Sequence, residues 1–340
     1  GLVWRLFWQG MSGNLNVNSF NCKRFGGSWK SYRLKGKVKM TIRKLFEPNS
    51  VAVVGASRDP EKLGHQIVEN LKEANFDGKI YPVNPEADEI LGLRCYPSLE
   101  EAPKKTQLAV IVLPAEKVNS AVRQCEENNV SNVVVMSGGF SEVGDEGEEL
   151  EEELLETAED MNIRILGPNS QGVNNTSNGL CATLPLVSKE GPLSIVTQSG
   201  TIGTAVESWI ADDNIGISKL AVLGNKADID ETDLIDYLSG DDETGVIGLY
   251  LDGVDKGRKF LEVSENAVEN KPVVVLKGGR TDRGAEAIKS HTHSESGKYE
   301  IFKSACDQAG VVLTESLGDS YNVCKGLSSL NQPDGKETVI

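Results

Sequence analysis

Ser50–Leu71, SVAVVGASRDPEKLGHQIVENL, passes from an apolar strand-like run through a small-residue turn at Gly55, Ala56 and Ser57 into a helical stretch that carries Gly64. A small-residue turn between strand and helix lets backbone N–H groups and a helix N-terminus approach a phosphate. The spacing falls short of a full G-x-G-x-x-G, and Pro82-Val83-Asn84-Pro85 stands where an acidic ribose partner is expected after the second strand. That absence disfavours a nicotinamide cofactor. On the turn alone, a ligand-free corner and a phosphate site explain these residues equally well.

Outward from this unit, strand-like runs recur near 51–54, 80–83, 108–113, 133–136 and 163–166, interleaved with helical stretches such as 61–73 and 146–161. Such alternation predicts a parallel sheet with helices on both faces. A second series follows, with strands near 194–197, 219–223, 246–251, 272–276 and 311–313 and helices near 201–211, 231–238, 257–270 and 299–308. The expected architecture is therefore α/β, with two doubly wound parallel-sheet domains in tandem, residues 45–175 and 180–330. They join in the polar, Gly- and Pro-containing stretch 174–192. Residues 331–340 read as a linker and the start of a truncated third domain.

Residues 1–44 read as a leader outside the fold. The first 40 hold three of the four tryptophans and eight Lys or Arg, with no Asp or Glu. That composition fits a transit peptide, but an extraneous translated leader with Met40 as the natural start is the preferred reading. All 51 acidic residues lie beyond it, leaving that part of the chain at −24. A body so acidic repels nucleic acid and fits a highly solvated surface, as in organisms with high internal salt. Cys22, Cys95, Cys125, Cys181, Cys306 and Cys324 are scattered without a C-x-x-C pair, so no zinc cage or disulfide framework is expected and the cytoplasm is the simple setting. No run approaches the roughly 18 apolar residues of a membrane helix.

VLPAEKV (112–118) and MSGGFSE (136–142) bring Pro114 and Gly138 to where an open α/β sheet presents its crevice. In the second series TQSGTIG sends Gln198, Ser199 and Gly200 into a helix near Thr201. Its amides and partial positive charge suit an anion; the plainer reading has Ser199 as an N-cap and nothing more. LKGGRTDRGAEAIKSHTHSESG (276–297) places His291 on a loop bearing Gly278, Gly279, Gly284 and Gly297. Neutral imidazole is a competent nucleophile toward phosphorus. A lone histidine is more often structural, and the pair His291 and His293 lacks a third ligand nearby, so no metal is expected.

Taken in order, SVAVVGAS, YPVNP, LPAEKV, SGGFSEVGDEG, ILGPNSQGVNN, TQSGTIG, LGNKADIDETDLIDYL, LYLDGV and VLKGGRTDRGAEAIKSHT resemble the alpha part of NDP-forming acyl-CoA synthetases. This is the group of ADP-forming acetyl-CoA synthetase, related to succinyl-CoA synthetase alpha, and the resemblance covers nearly everything from Leu45 to Leu330. It implies a Rossmann-like CoA-binding domain, then a flavodoxin-like ligase domain whose loop histidine is phosphorylated as acyl-CoA, phosphate and ADP become acid, CoA and ATP. It gives Gly55, Ala56, Ser57 and Arg58 to the CoA phosphate loop, with Val83, Asn84, Pro85, Pro114 and Gly138 lining the rest of the CoA crevice. His291 becomes the phosphoryl carrier, held by Ser199, Gly200 and Thr201 with Gly278 and Gly279. Asp252 becomes its acidic partner, orienting the imidazole tautomer and stabilising the cation.

The chain departs from the family in places. The carrier loop, usually S-H-T-G-S-L-A-G, is SHTHSESG at 290–297. Asp252 stands where Glu is usual, shorter by roughly 1 Å; Glu86 replaces a common Lys, and Ser170 a Cys. With no ATP-grasp sequence present, the resemblance implies a beta subunit in a hetero-oligomer, or missing C-terminal domains, that binds ADP or ATP with Mg. The other substrates would be a small carboxylic acid and its CoA thioester. A non-catalytic CoA-binding or regulatory module of the same family is the alternative, favoured by the altered loop as the retained His291 favours the enzyme.

Overall fold

In the computed structural model, which describes residues 42–329 apart from 282, 285 and 287–297, the first apolar run is β1 (Ser50–Val54), buried at every position. Burial on both faces is the mark of an inner strand of a parallel sheet. β1 continues into α2 (Leu63–Glu73), β2 (Lys79–Val83) and a short hairpin of β3 (Glu89–Ile90) and β4 (Leu93–Arg94). Then come β5 (Leu108–Ile111), α3 (Ala115–Glu127), β6 (Asn132–Val135), α4 (Asp145–Met161) and β7 (Arg164–Leu166). The five long strands form one all-parallel sheet in the order β2-β1-β5-β6-β7.

The second sheet comprises β8 (Gly172–Asn175), β9 (Leu180–Thr183), β10 (Glu190–Thr197), β11 (Ile217–Val222), β12 (Val246–Leu251), β13 (Val273–Lys277) and β14 (Val312–Thr314). Their order is β14-β13-β12-β10-β11-β8-β9. Helices α5 (Gly200–Asp212), α6 (Glu231–Ser239) and α7 (Gly257–Val268) fill the crossovers, and helices Tyr299–Ala309 and Leu317–Ser329 follow. Counted from its own first parallel strand, each sheet has the order 2-1-3-4-5, the flavodoxin-like form of the doubly wound sheet. In both, the strand order reverses beside the first strand: between β1 and β5, and between β10 and β12. Ligands of open α/β sheets bind at such switch points.

Two findings differ from the sequence expectation. Residues 42–44, assigned to the leader, belong to the fold: Ile42 is buried, α1 (Arg43–Phe46) begins at Arg43, and Phe46 stacks on Tyr237 with ring centroids 5.2 Å apart. The stretch 174–192, read as a join, instead contributes strands, β8 running antiparallel to β11 and β9 antiparallel to β8. Its polar residues are spent on internal bonds: Asn174 Nδ2 donates to the Val187 carbonyl (2.7 Å) and Asn175 Nδ2 to the Phe46 carbonyl (3.0 Å). Those amide donors are thereby satisfied within the fold, although Asn174 Oδ1 is buried without a partner.

The two sheets meet along a polar seam. Segment 225–229 lies against 165–168, with Asn225 N donating to Pro168 O, Ala227 N to Gly167 O and Ile229 N to Ile165 O at 2.9–3.0 Å. Arg164 grips Asp228 through Nε (2.9 Å) and Asp233 through Nη2 (2.7 Å). One apolar cluster runs from Phe46 and Ile67 beside the first sheet to Leu234 on α6 and Val275 on β13 of the second. No described helix is long and apolar enough to cross a membrane.

Candidate functional site

At the first switch point the backbone is bared by glycine. Gly55 follows β1 at φ 93°, and a Cβ there would sit 2.2 Å from the Val112 carbonyl oxygen just past the neighbouring strand β5. Gly64 presses α2 onto the same turn, since a Cβ at that position would lie 2.1 Å from the Gly55 carbonyl oxygen. Only residues without a side chain allow strand, turn and helix to approach this closely. The buried His65 donates from Nδ1 to the Ser57 carbonyl (2.9 Å), which makes it a support of the turn.

The structure brings the other expected residues to the same edge. Asn84 Nδ2 donates to the Ala56 carbonyl (2.7 Å), and Arg58, exposed, donates to the Glu86 carbonyl (3.1 Å). The loops after β1 and β2, with Val83 and Pro85, are thereby tied into one rim. Pro114 opens α3, Leu113 N donates to Ser137 Oγ (3.2 Å), and Gly138 follows on the next strand end. Small residues, backbone amides and Arg58 thus share one sheet edge, with Glu142 beside Gly138, and amides at such a turn can approach a phosphate.

The second switch point is built from polar side chains. Ser199 is the N-cap of α5, its Oγ accepting from Ile202 N (3.4 Å), and Gly200 and Thr201 lie in the first turn, whose N–H groups have no acceptor within the helix. Across the gap stands Asp252, buried just beyond β12, with the Tyr250 hydroxyl hydrogen-bonded to its carboxylate. Gln198 joins the two sides: its Oε1 accepts from Asp252 N (2.9 Å) and Gly253 N (3.3 Å). Gly278 N donates to the Leu251 carbonyl (2.9 Å), and Gly279 follows at φ 64°, so the glycines after β13 flank the same place. His291 and His293 lie outside the described residues.

Sequence reasoning passed over several groups found here. Lys277 ends β13 buried, donating to the carbonyls of Asp252 and Gly278; burial pushes its ammonium down to about 8, Asp252 opposing and Lys226 assisting. Lys226, also buried, is surrounded by Glu231 (3.2 Å), Asp255 (3.0 Å) and the Gly253 carbonyl (2.8 Å). Burial works to lower Lys226, but the two carboxylates outweigh it and hold the lysine above its ordinary value. On α5, Glu207 is fully buried with Oε1 lacking a partner, and burial pushes its carboxyl up to about 8. At the seam, Asn225 Nδ2 donates to Glu142 (2.6 Å) and Glu151 (2.9 Å). Burial raises both carboxyls; hydrogen bonds from Asn225, Gly139 N and Phe140 N overcome it at Glu142 and leave that group low, while Glu151 stays high.

Among the described residues no group of three or more His, Cys, Asp or Glu side chains is placed to hold a metal. Cys95, Cys125, Cys181, Cys306 and Cys324 are buried and unpaired.

Fold and switch points together define two doubly wound α/β units, each with its strand ends open to a ligand. Residues 49–176 match the model of a CoA binding domain, and residues 190–327 that of a succinyl-CoA ligase like flavodoxin domain. The chain is 41% identical over 306 residues to acetate–CoA ligase [ADP-forming] I subunit alpha of Pyrococcus furiosus, covering 88% of this chain and 66% of that one. It is 43% identical over 282 residues to acetate–CoA ligase [ADP-forming] I of Archaeoglobus fulgidus, covering 83% and 41%. Among solved structures, Candidatus Korarchaeum cryptofilum dinucleotide forming acetyl-coenzyme A synthetase 1, in complex with phosphate and ADP, superposes with a TM-score of 0.83 at 42% identity over 86% of this chain and 64% of that chain. The chain belongs to the family of the alpha parts of NDP-forming acyl-CoA synthetases. It spans from about two fifths to two thirds of the length of these relatives.

Proposed function

We propose that the chain works as the alpha part of an acid–CoA ligase (NDP-forming), converting acyl-CoA, phosphate and ADP to acid, CoA and ATP together with an ATP-grasp partner. The observation that carries this reading is the second switch point, where a helix N-terminus at Ser199, Gly200 and Thr201 faces the buried Asp252 with Gln198 joining them. Phosphate oxygen attacks the thioester carbonyl, CoA leaves as thiol, and an acyl phosphate forms. Gly55 to Arg58, Val83 to Pro85, Pro114 and Gly138 hold CoA in the first crevice, and the close packing at Gly55 and Gly64, which leaves backbone as the surface of the turn, supports this.

Neutral His291 then attacks phosphorus and the carboxylic acid departs. Asp252 accepts from the far ring nitrogen, fixing the tautomer and stabilising the cation. The α5 amides and dipole, with Gly278 and Gly279, neutralise the phosphoryl charge. The phosphohistidine passes its group to ADP, whose Mg is held by an ATP-grasp subunit in a hetero-oligomer or by a C-terminal continuation. Relatives named ADP-forming, which is the reverse direction of the reaction written above, and a neighbour solved with phosphate and ADP support this reading. The unpaired cysteines suit a reducing cytoplasm.

The test mixes the full chain and its ATP-grasp partner with ATP labelled at the γ position. Acid-labile label on the chain, lost in His291→Asn, is the expected result. An unlabelled wild type rejects the carrier role and leaves a CoA-binding module.

A further inference from the structure

The turn Asp252–Gly253 is held at all four of its main-chain polar groups by side chains from three other segments. Both N–H groups donate to Gln198 Oε1, at 2.9 and 3.3 Å. The Asp252 carbonyl accepts from Lys277 Nζ, and the Gly253 carbonyl from Lys226 Nζ at 2.8 Å. Gln198 follows β10, Lys226 follows β11 and Lys277 closes β13, so the loops of the surrounding strands converge on one turn. All three side chains are buried, at 2%, 8% and 3% exposure.

Stability alone is a poor reason for this construction. Lys226 recovers its desolvation from Glu231 (3.2 Å) and Asp255 (3.0 Å), but Lys277 is taken out of water to satisfy main-chain carbonyls, and a buried charge recovers its desolvation only through excellent pairing. Lys277 shows the shortfall, its second bond going to another neutral carbonyl, that of Gly278 (2.8 Å). What the arrangement does deliver is a carboxylate whose backbone cannot shift in any direction.

We infer that Gln198, Lys226 and Lys277 are positioning residues for Asp252, acting through its main chain in the phosphoryl transfer; the inference rests on the function proposed above. Gln198 carries the further duty of fixing the spacing between Asp252 and the α5 N-terminus, since it lies one residue before the N-cap. Lys277 also holds the first residue of the segment that leads to His291. A displacement of about 1 Å at such a group is enough to cost on the order of 10²-fold in rate.

Gln198→Leu, Lys226→Met and Lys277→Met, each in the full chain with its ATP-grasp partner, are compared by rate of histidine labelling from labelled ATP and by kcat and KM for acetyl-CoA. Labelling and kcat are expected to fall by on the order of 10²-fold with KM unchanged, and Lys277→Arg to recover part of the loss. In an Asp252→Asn background the same substitutions are expected to cause no further loss, because the group they position is gone. Losses that multiply in that background, a rise in KM in place of a fall in kcat, or wild-type rates overturn the positioning role. Where a lysine variant does not fold, Gln198→Leu, which alters no charge, decides the matter. An unlabelled wild type refutes the phosphoryl-carrier function itself, a result distinct from a labelled wild type with indifferent variants.

Discussion

The two switch points share one strand order and are furnished in opposite ways. The floor of the first is backbone: Gly55 and Gly64 leave no space where a side chain would stand, and the carbonyls and amides of the turn are the surface. The floor of the second is side chain, with Gln198, Lys226 and Lys277 gathered around Asp252. A doubly wound sheet therefore offers a crevice that evolution completes either by subtraction, for a ligand laid along amides, or by addition, for chemistry at one fixed point.

Asp252→Asn is the substitution with the largest expected effect. Histidine labelling should drop by on the order of 10³-fold, as for loss of a group that orients an imidazole, while CoA affinity measured by calorimetry stays unchanged. Weaker CoA binding in this variant breaks the division between the crevices. Next comes Gly55→Ala, which sets a Cβ 2.2 Å from the Val112 oxygen at φ 93°. It is expected to cost about 3 kcal/mol in urea unfolding and to weaken CoA binding. A neutral result removes the argument from backbone clearance.

The smallest of the three effects on the reaction concerns Glu207, behind the second crevice. Its carboxyl is pushed up from 4.5 to about 8, so the folded chain keeps a proton that the unfolded chain releases near its ordinary value. More protons on the folded form mean that stability falls as pH rises from 4.5 through 8. Glu207→Leu removes that dependence. Its stability advantage over wild type should widen across this window by several kcal/mol, at about 1.4 kcal/mol per pH unit between the two values, read from denaturation midpoints; a constant difference contradicts a carboxyl buried with an unpartnered oxygen.

The alternating apolar runs located both sheets, because buried parallel strands advertise themselves as continuous Val, Ile and Leu. Gly55 and Ser199 were legible for a related reason, since turn and cap chemistry depends on residues close in sequence, whereas Asp252 came from the family resemblance alone. Lys226 and Lys277 were not legible. A lysine in a sequence reads as solvated surface, and what buries these two is a pair of carbonyls 27 and 25 residues away. β8 and β9 were missed because Asn174 and Asn175 look like loop residues until their side chains find the Val187 and Phe46 carbonyls. Arg43 was left with the basic leader since nothing in its own composition reveals that Ile42 and Phe46 beside it enter the core.

The family models end at 176 and resume at 190, as though the chain were divisible there. The seam says otherwise. With Arg164 gripped by Asp228 and Asp233, and Asn225 by Glu142 and Glu151, cleaving the backbone in that interval is expected to sever a connection without separating the pieces. Each fragment taken alone bares partners that only the other supplies, so the halves form a complementing pair, and a chimera that exchanges one domain must carry the opposing face of the seam with it.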